Sequence, residues 1–133
     1  MANRMFKPLG GSLTQEVVLL TGKFAFSDGS GNVDTLVHAG FSVAAANSDG
    51  EQVITLDDTY NDLVGISLTY AGDGSFAADG SESTVSEVSA ETVSTDRTIT
   101  IQHVEVAGGG KQTQANLNGK TVRCMIWLKN SGI

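Results

Sequence analysis

An all-β fold, a single antiparallel β-sandwich, is predicted by three features of this chain. Apolar residues recur with period two over Gln15–Ser27, Gln52–Leu56, Val64–Tyr70, Arg97–Val106 and Thr121–Lys129, the rhythm of strands with a buried face. Glycine is abundant at 16, proline occurs once, and helix signals are few. The apolar runs are short and closed by turn formers such as Asp49-Gly50 and Asn118-Gly119. A length of 133 residues fits one domain that buries a core without disulfides or metal. Residues 1–11 read as an N-terminal arm and residues 12–133 as the sandwich domain.

The arm carries apolar Met5, Phe6 and Leu9, while Pro8 and Gly10-Gly11 discourage regular structure. It is either a loose terminus or an arm that docks on a neighbouring subunit. In Gln15–Ser27 the even positions Val18, Leu20, Gly22, Phe24 and Phe26 are apolar throughout, and the odd positions turn polar after Leu19. The first half therefore expects cover on both faces and the second half on one, with Gly22 a candidate bulge or bend. Asp28–Asp34 places Asp28, Ser30, Asn32 and Asp34 alternately. A calcium loop wants Gly at its sixth position and Glu at its twelfth, where Val33 and Ala39 stand, so a polar turn is the better reading. Leu36–His38 is a short strand or one helical turn.

Gly40–Tyr70 contains three apolar runs in succession and predicts an antiparallel meander, with a tight hairpin at Asp49-Gly50. The insert Asp57–Asp62 suits a capped helical turn better than an ion site, with Tyr60 plugging the end of the sandwich. In the third run Ile66, Leu68 and Tyr70 share the inward face. Ala71–Thr95 is rich in Gly, Ser, Asp and Glu. It predicts a long acidic surface loop, with Phe76 tucked in and one edge strand between Thr84 and Ser94. In Arg97–Val106 the parity of Ile99 and Ile101 differs from that of Val104 and Val106. That mismatch predicts a bulge near Gln102-His103 and a rim position for His103. A glycine-rich loop, Ala107–Gly119, leads into the last strand. There Val122, Cys124, Ile126 and Leu128 form the inner face, and Arg123, Met125, Trp127 and Lys129 the outer one. Met125 beside Trp127 is apolar surface that needs cover, from a loop, from the arm or from another subunit.

The formal net charge of −7 argues against nucleic acid, whose binding needs a basic patch, and against an anionic membrane. No run approaches the roughly 20 apolar residues of a membrane span. The single cysteine, Cys124, permits no intrachain disulfide and reads as a small buried apolar residue. With no apolar core of signal-peptide length near the N-terminus, synthesis and folding in a reducing cytoplasm are expected. His38 and His103 have no motif around them, no Gly-x-Ser-x-Gly elbow occurs, and Gly110-Lys111 lacks the flanking residues of a phosphate-binding loop. No enzymatic activity and no cofactor or metal are expected.

The opening Met-Ala-Asn-Arg-Met-Phe, the strand Glu-Val-Val-Leu-Leu-Thr-Gly-Lys-Phe-Ala-Phe, Val-Ile-Thr-Leu-Asp-Asp-Thr-Tyr and the closing Cys-Met-Ile-Trp-Leu-Lys-Asn-Ser span the chain. In these segments it resembles small structural proteins of tailed bacteriophages, capsid decoration (cement) proteins in particular. The resemblance implies a virion component of β-sandwich or jelly-roll type. Such a protein is made in the host cytoplasm and assembles on the outer surface of the head. Its partners would be the major capsid protein and further copies of itself, as a dimer or trimer. The family has no catalytic residues to carry over. Candidate interface residues, to capsid or to self, are Met5, Phe6, Leu9, Arg123, Met125 and Trp127. Two other readings stay open: a tail- or fibre-associated β-domain, and a carbohydrate- or ion-binding β-sandwich.

Overall fold

A computed structural model describes residues 4–8, 16–72 and 83–130. Its strands are β1 (Arg4–Pro8), β2 (Glu16–Phe26), β3 (Val33–His38), β4 (Phe41–Val43), β5 (Glu51–Leu56), β6 (Asp62–Ala71), β7 (Thr84–Thr92), β8 (Thr98–Glu105) and β9 (Thr121–Lys129). One short helix, α1 (Gln114–Leu117), precedes β9. The strands form two antiparallel sheets, so the chain is an all-β sandwich. Sheet A runs β1-β2-β9-β6, and β3 follows β1 along the same edge of β2. Sheet B runs β4-β5-β8-β7.

The core lies where the period-two pattern placed it. Val18, Leu20, Phe24 and Phe26 of β2 face Val122, Cys124, Ile126 and Leu128 of β9 along one layer, all buried. Phe41, Ile54, Leu56, Ile99 and Ile101 of sheet B close over them. Each fully buried large side chain contributes about 1.5–3 kcal/mol. Gly22 interrupts the apolar face of β2 for a packing reason: a Cβ there would lie 2.4 Å from Cζ of Phe41. The β2–β9 ladder runs through Gly22 unbroken, and the expected irregularity falls one residue on, against β3, between Lys23 and Phe24.

Several expectations are corrected. Gly40–Tyr70 is not a meander: β4 and β5 pair, but β6 crosses to sheet A and pairs with β9. Alternation specifies which face is buried and leaves the partner open. The insert before β6 is bent and irregular, not helical. Its amides leave the segment, Asp57 N to Gly40 O (2.8 Å), Tyr60 N to Val93 O (3.1 Å) and Asn61 N to Lys129 O (2.9 Å), stitching the two sheets across the crossing. Tyr60 is buried there, at the position the sequence reading gave it.

The β4–β5 turn is wider than a two-residue hairpin. Asn47 Oδ1 accepts from the amides of Asp49 (3.0 Å) and Glu51 (2.9 Å), and Gly50 supplies the left-handed φ of 74°. Asn118-Gly119 closes α1 instead of forming a hairpin, with Lys120 N bonded to Leu117 O (3.1 Å). Leu36–His38 belongs to a strand, and residues 84–92 form the expected edge strand, β7. The bulge assigned to Gln102-His103 lies instead on β7, between Val88 and Ala90. The β5–β8 register is continuous through Gln102, so β8 keeps its phase and His103 shares the inward parity of Ile99 and Ile101. Part of the expected arm, residues 4–8, is strand β1. Phe76 lies outside the described residues.

Candidate interaction surface

The outer face of sheet A follows from the parity that built the core. With Val122, Cys124, Ile126 and Leu128 inward, the alternate residues of β9 face out, and antiparallel pairing sets them in cross-strand rows. Leu19, Trp127 and Gly65 form one row, and the β1 register brings Met5 opposite Leu19. Thr21, Met125 and Ser67 form the next, followed by Lys23, Arg123 and Thr69, with Val37 opposite Lys23. On the other side stand Val17, Lys129 and Asp62. Met125 is 42 % exposed, Trp127, Leu19 and Val17 are half-buried, and Val64, the extra residue of a bulge beside the Trp127 row, is 59 % exposed. The small residues Gly65 and Ser67 leave the β6 edge of the face low.

Of the residues singled out from the sequence, Arg123, Met125 and Trp127 therefore lie in neighbouring rows of one face, and the register brings Met5 into the Trp127 row. Phe6 stands opposite Val18 in the β1–β2 register, and Val18 and its β9 partner Leu128 are both fully buried. Leu9 lies outside the described residues. The Lys23–Arg123 juxtaposition was missed, because no local spacing relates two residues so far apart in the chain.

A second constellation, also missed, is a buried polar chain between the sheets. His103 is fully buried, where a rim position was expected. Its Nδ1 lies 2.5 Å from Tyr70 Oη on β6, and its Nε2 lies 2.9 Å from Gln52 Oε1 on β5. Gln52 Nε2 in turn donates to Ala44 O (2.9 Å). That last bond makes Gln52 Oε1 an acceptor, so His103 Nε2 carries the proton and Nδ1 accepts from the tyrosine hydroxyl. The imidazole packs edge-on against Phe26 and Tyr70 at centroid distances of 5.7 and 5.6 Å. Burial holds its pKa down at about 4, and burial pushes the Tyr70 hydroxyl up to about 12 against a side-chain hydrogen bond from Ser86. The imidazole is neutral at pH 7, with both nitrogens committed to protein partners, which suits it to tying sheets together and not to proton transfer with a substrate.

Further glutamines tie the loops at this end. Gln102 Nε2 donates to Asp49 O (2.8 Å) and His103 O (2.9 Å), while Gln112 reaches Thr84 Oγ1 (3.0 Å). Gln114 donates to Ser30 O and Ala46 O, both at 2.8 Å. Glutamines recurring inside apolar or turn segments were the available signal.

Cys124 is buried, and burial drives its thiol to about 12, far from nucleophilic use. Asp28 caps its own turn, accepting from the side chain of Asn32 (2.8 Å) and the amide of Ser30 (2.8 Å), which lowers its pKa. Among the described residues no cluster of His, Cys, Asp and Glu could hold a metal ion. No described helix is long and apolar enough to cross a membrane. No protein-family model, curated protein or solved structure matches the chain.

Proposed function

We propose that this protein is a capsid decoration protein of a tailed bacteriophage, which binds the outside of the head and bridges neighbouring major capsid subunits. The observation that carries the reading is the outer face of sheet A, where Met125 and Trp127 stand as large apolar side chains beyond the closed core, with Arg123 alongside. Aromatic, methionine and arginine side chains of this kind supply most of the energy of a protein interface, and flanking polar rows set its register. The segments quoted above, which resemble decoration proteins, include β2 and most of β9, the two central strands of this face. Binding only to the assembled lattice adds stability to the shell by mass action.

Purified particles from the source phage provide the test, with bound protein measured at limiting supply and thermal unfolding of the free protein followed in parallel. Wild type is expected on the particles. Trp127→Ala is expected to lower occupancy while leaving the free domain folded, because Trp127 lies on the side of β9 away from the core. Absence of the wild-type protein from particles overturns the reading. Unchanged occupancy for Trp127→Ala removes this face from it.

A further inference from the structure

We propose that Lys23 and Arg123 form a carboxylate clamp, and that the partner of this face is an acidic protein segment. Its carboxylate would lie between the two cations, with apolar side chains on the neighbouring Met125 and Trp127 rows. The assignment rests on the reading of this face as an adhesive surface, and it names the chemistry of what adheres.

The register carries the inference. Lys23 and Arg123 are direct cross-strand partners on the same face, a separation of roughly 4.5–5.5 Å between Cβ atoms. Like charges at such positions repel and weaken the sheet. The chain has 15 acidic residues against 8 basic ones, so acids to relieve the repulsion are plentiful, yet none stands in this row. Asp62 lies opposite Lys129 and Asp34 opposite Ala25, both in other rows. Among the described residues neither Lys23 nor Arg123 has a hydrogen-bond or ion-pair partner, whereas Lys111 pairs with Asp49 (3.4 Å) and Arg97 Nη1 donates to Asp57 O (3.0 Å).

The two cations also line a shallow recess of about 390 Å³, together with Thr21, Val37 and Met125, over the backbone of Gly22. Lys23 is half-buried, and a lysine in that position can lay its aliphatic stem along the sheet and keep its ammonium in water. A carboxylate placed there accepts a bidentate pair from the guanidinium and a third bond from the ammonium, and it removes a repulsion the free protein carries. The chain as a whole is acidic, and Lys23 with Arg123 gives an acidic partner complementary charge on this face. A nucleic acid meets the same two cations, but its binding needs a broader basic patch to displace counterions than two cations on a protein of net charge −7 provide.

Trp127 is the only tryptophan and lies two rows from the clamp, so its fluorescence reports occupancy without a label. The probe is a short peptide of alternating glutamate and leucine, with the glutamine–leucine peptide as control, read by Trp127 fluorescence and by backbone amide shifts. The acidic peptide is expected to shift the β2 and β9 amides around Lys23 and Arg123. Its Kd is expected to rise about ten-fold or more in the Lys23→Gln/Arg123→Gln double variant, and similarly between about 50 and about 500 mM salt. Lys111→Gln, elsewhere on the surface, should leave it unchanged. Thermal unfolding checks the fold of each variant, and Lys23→Gln alone serves if the double variant is impaired. Equal binding of the glutamine peptide, or no effect of the paired substitution, overturns the clamp. A stronger response to an oligodeoxythymidylate overturns the acidic-protein assignment. On particles, wild-type occupancy by the double variant refutes the clamp and leaves the decoration reading standing. Wild-type protein that binds the peptide but not particles does the reverse.

Discussion

Replacing His103 by glutamine tests the buried link between the sheets. In the folded protein burial lowers the His103 pKa to about 4, against about 6.5 for a free imidazole. Between those values the unfolded chain binds a proton that the folded chain refuses, so stability is highest above about pH 6.5 and falls as pH drops toward 4. The gap of about 2.5 units corresponds to about 3 kcal/mol lost across that window, at about 1.4 kcal/mol per unit. The assay is urea unfolding of wild type and His103→Gln at intervals from pH 7 to pH 4. At pH 7 the variant should be less stable by about 1–3 kcal/mol, because Tyr70 and Gln52 lose the partners they have in the imidazole. On acidification the difference between the two proteins should shrink by about 3 kcal/mol, enough to reverse its sign. Carboxylates and His38 are common to both proteins and cancel in the subtraction. A difference that stays constant from pH 7 to pH 4 would refute the reasoning, since it would mean that His103 titrates alike in the folded and unfolded states. Nitrogen shifts of the imidazole at pH 7 should show the proton on Nε2.

Ile126→Ala, which empties a fully buried position on β9, should cost about 2–5 kcal/mol by chemical denaturation, while Lys129→Ala on the opposite face should stay within about 0.5 kcal/mol. Gly50→Ala should destabilise by more than about 1 kcal/mol, because φ is +74° and a Cβ would lie 2.5 Å from the carbonyl oxygen of Gln112. A neutral result would show that the loops at this end yield more readily than the Gln102 and Gln112 bonds imply. Cys124, buried and with its thiol pushed to about 12, should react with a thiol reagent only on unfolding, so that its labelling rate in native buffer follows denaturant concentration.

Parity was readable because it is local. Val122, Cys124, Ile126 and Leu128 alternate along one strand, and a pleated backbone sends alternate residues to opposite sides whatever the strand pairs with. The same rule gave the buried face of β2 and, by subtraction, the outward position of Met125 and Trp127. It failed at β8, where apolar Val104 and Val106 suggested a change of phase. In the structure Val106 is 54 % exposed and His103 is buried in their stead. A polar ring can take a core position only where its nitrogens find partners, and these come from Tyr70 and Gln52 on other strands. Nothing near His103 in the chain announces them.

The same division holds for the candidate surface. Residue alternation determined that Arg123 and Met125 leave the core, and charge composition determined that the protein is acidic. Which residue stands beside Arg123 was settled by the β2–β9 register, and the crossing of β6 into sheet A set Gly65 and Ser67 beside the apolar rows. The physical reason lies in the range of the interactions. A strand's two faces are dictated by bond geometry within a few residues. Its neighbour is chosen by the combined fit of all the strands, and the Lys23–Arg123 repulsion is borne because the apolar rows on the other side of the same two strands lock that register in place.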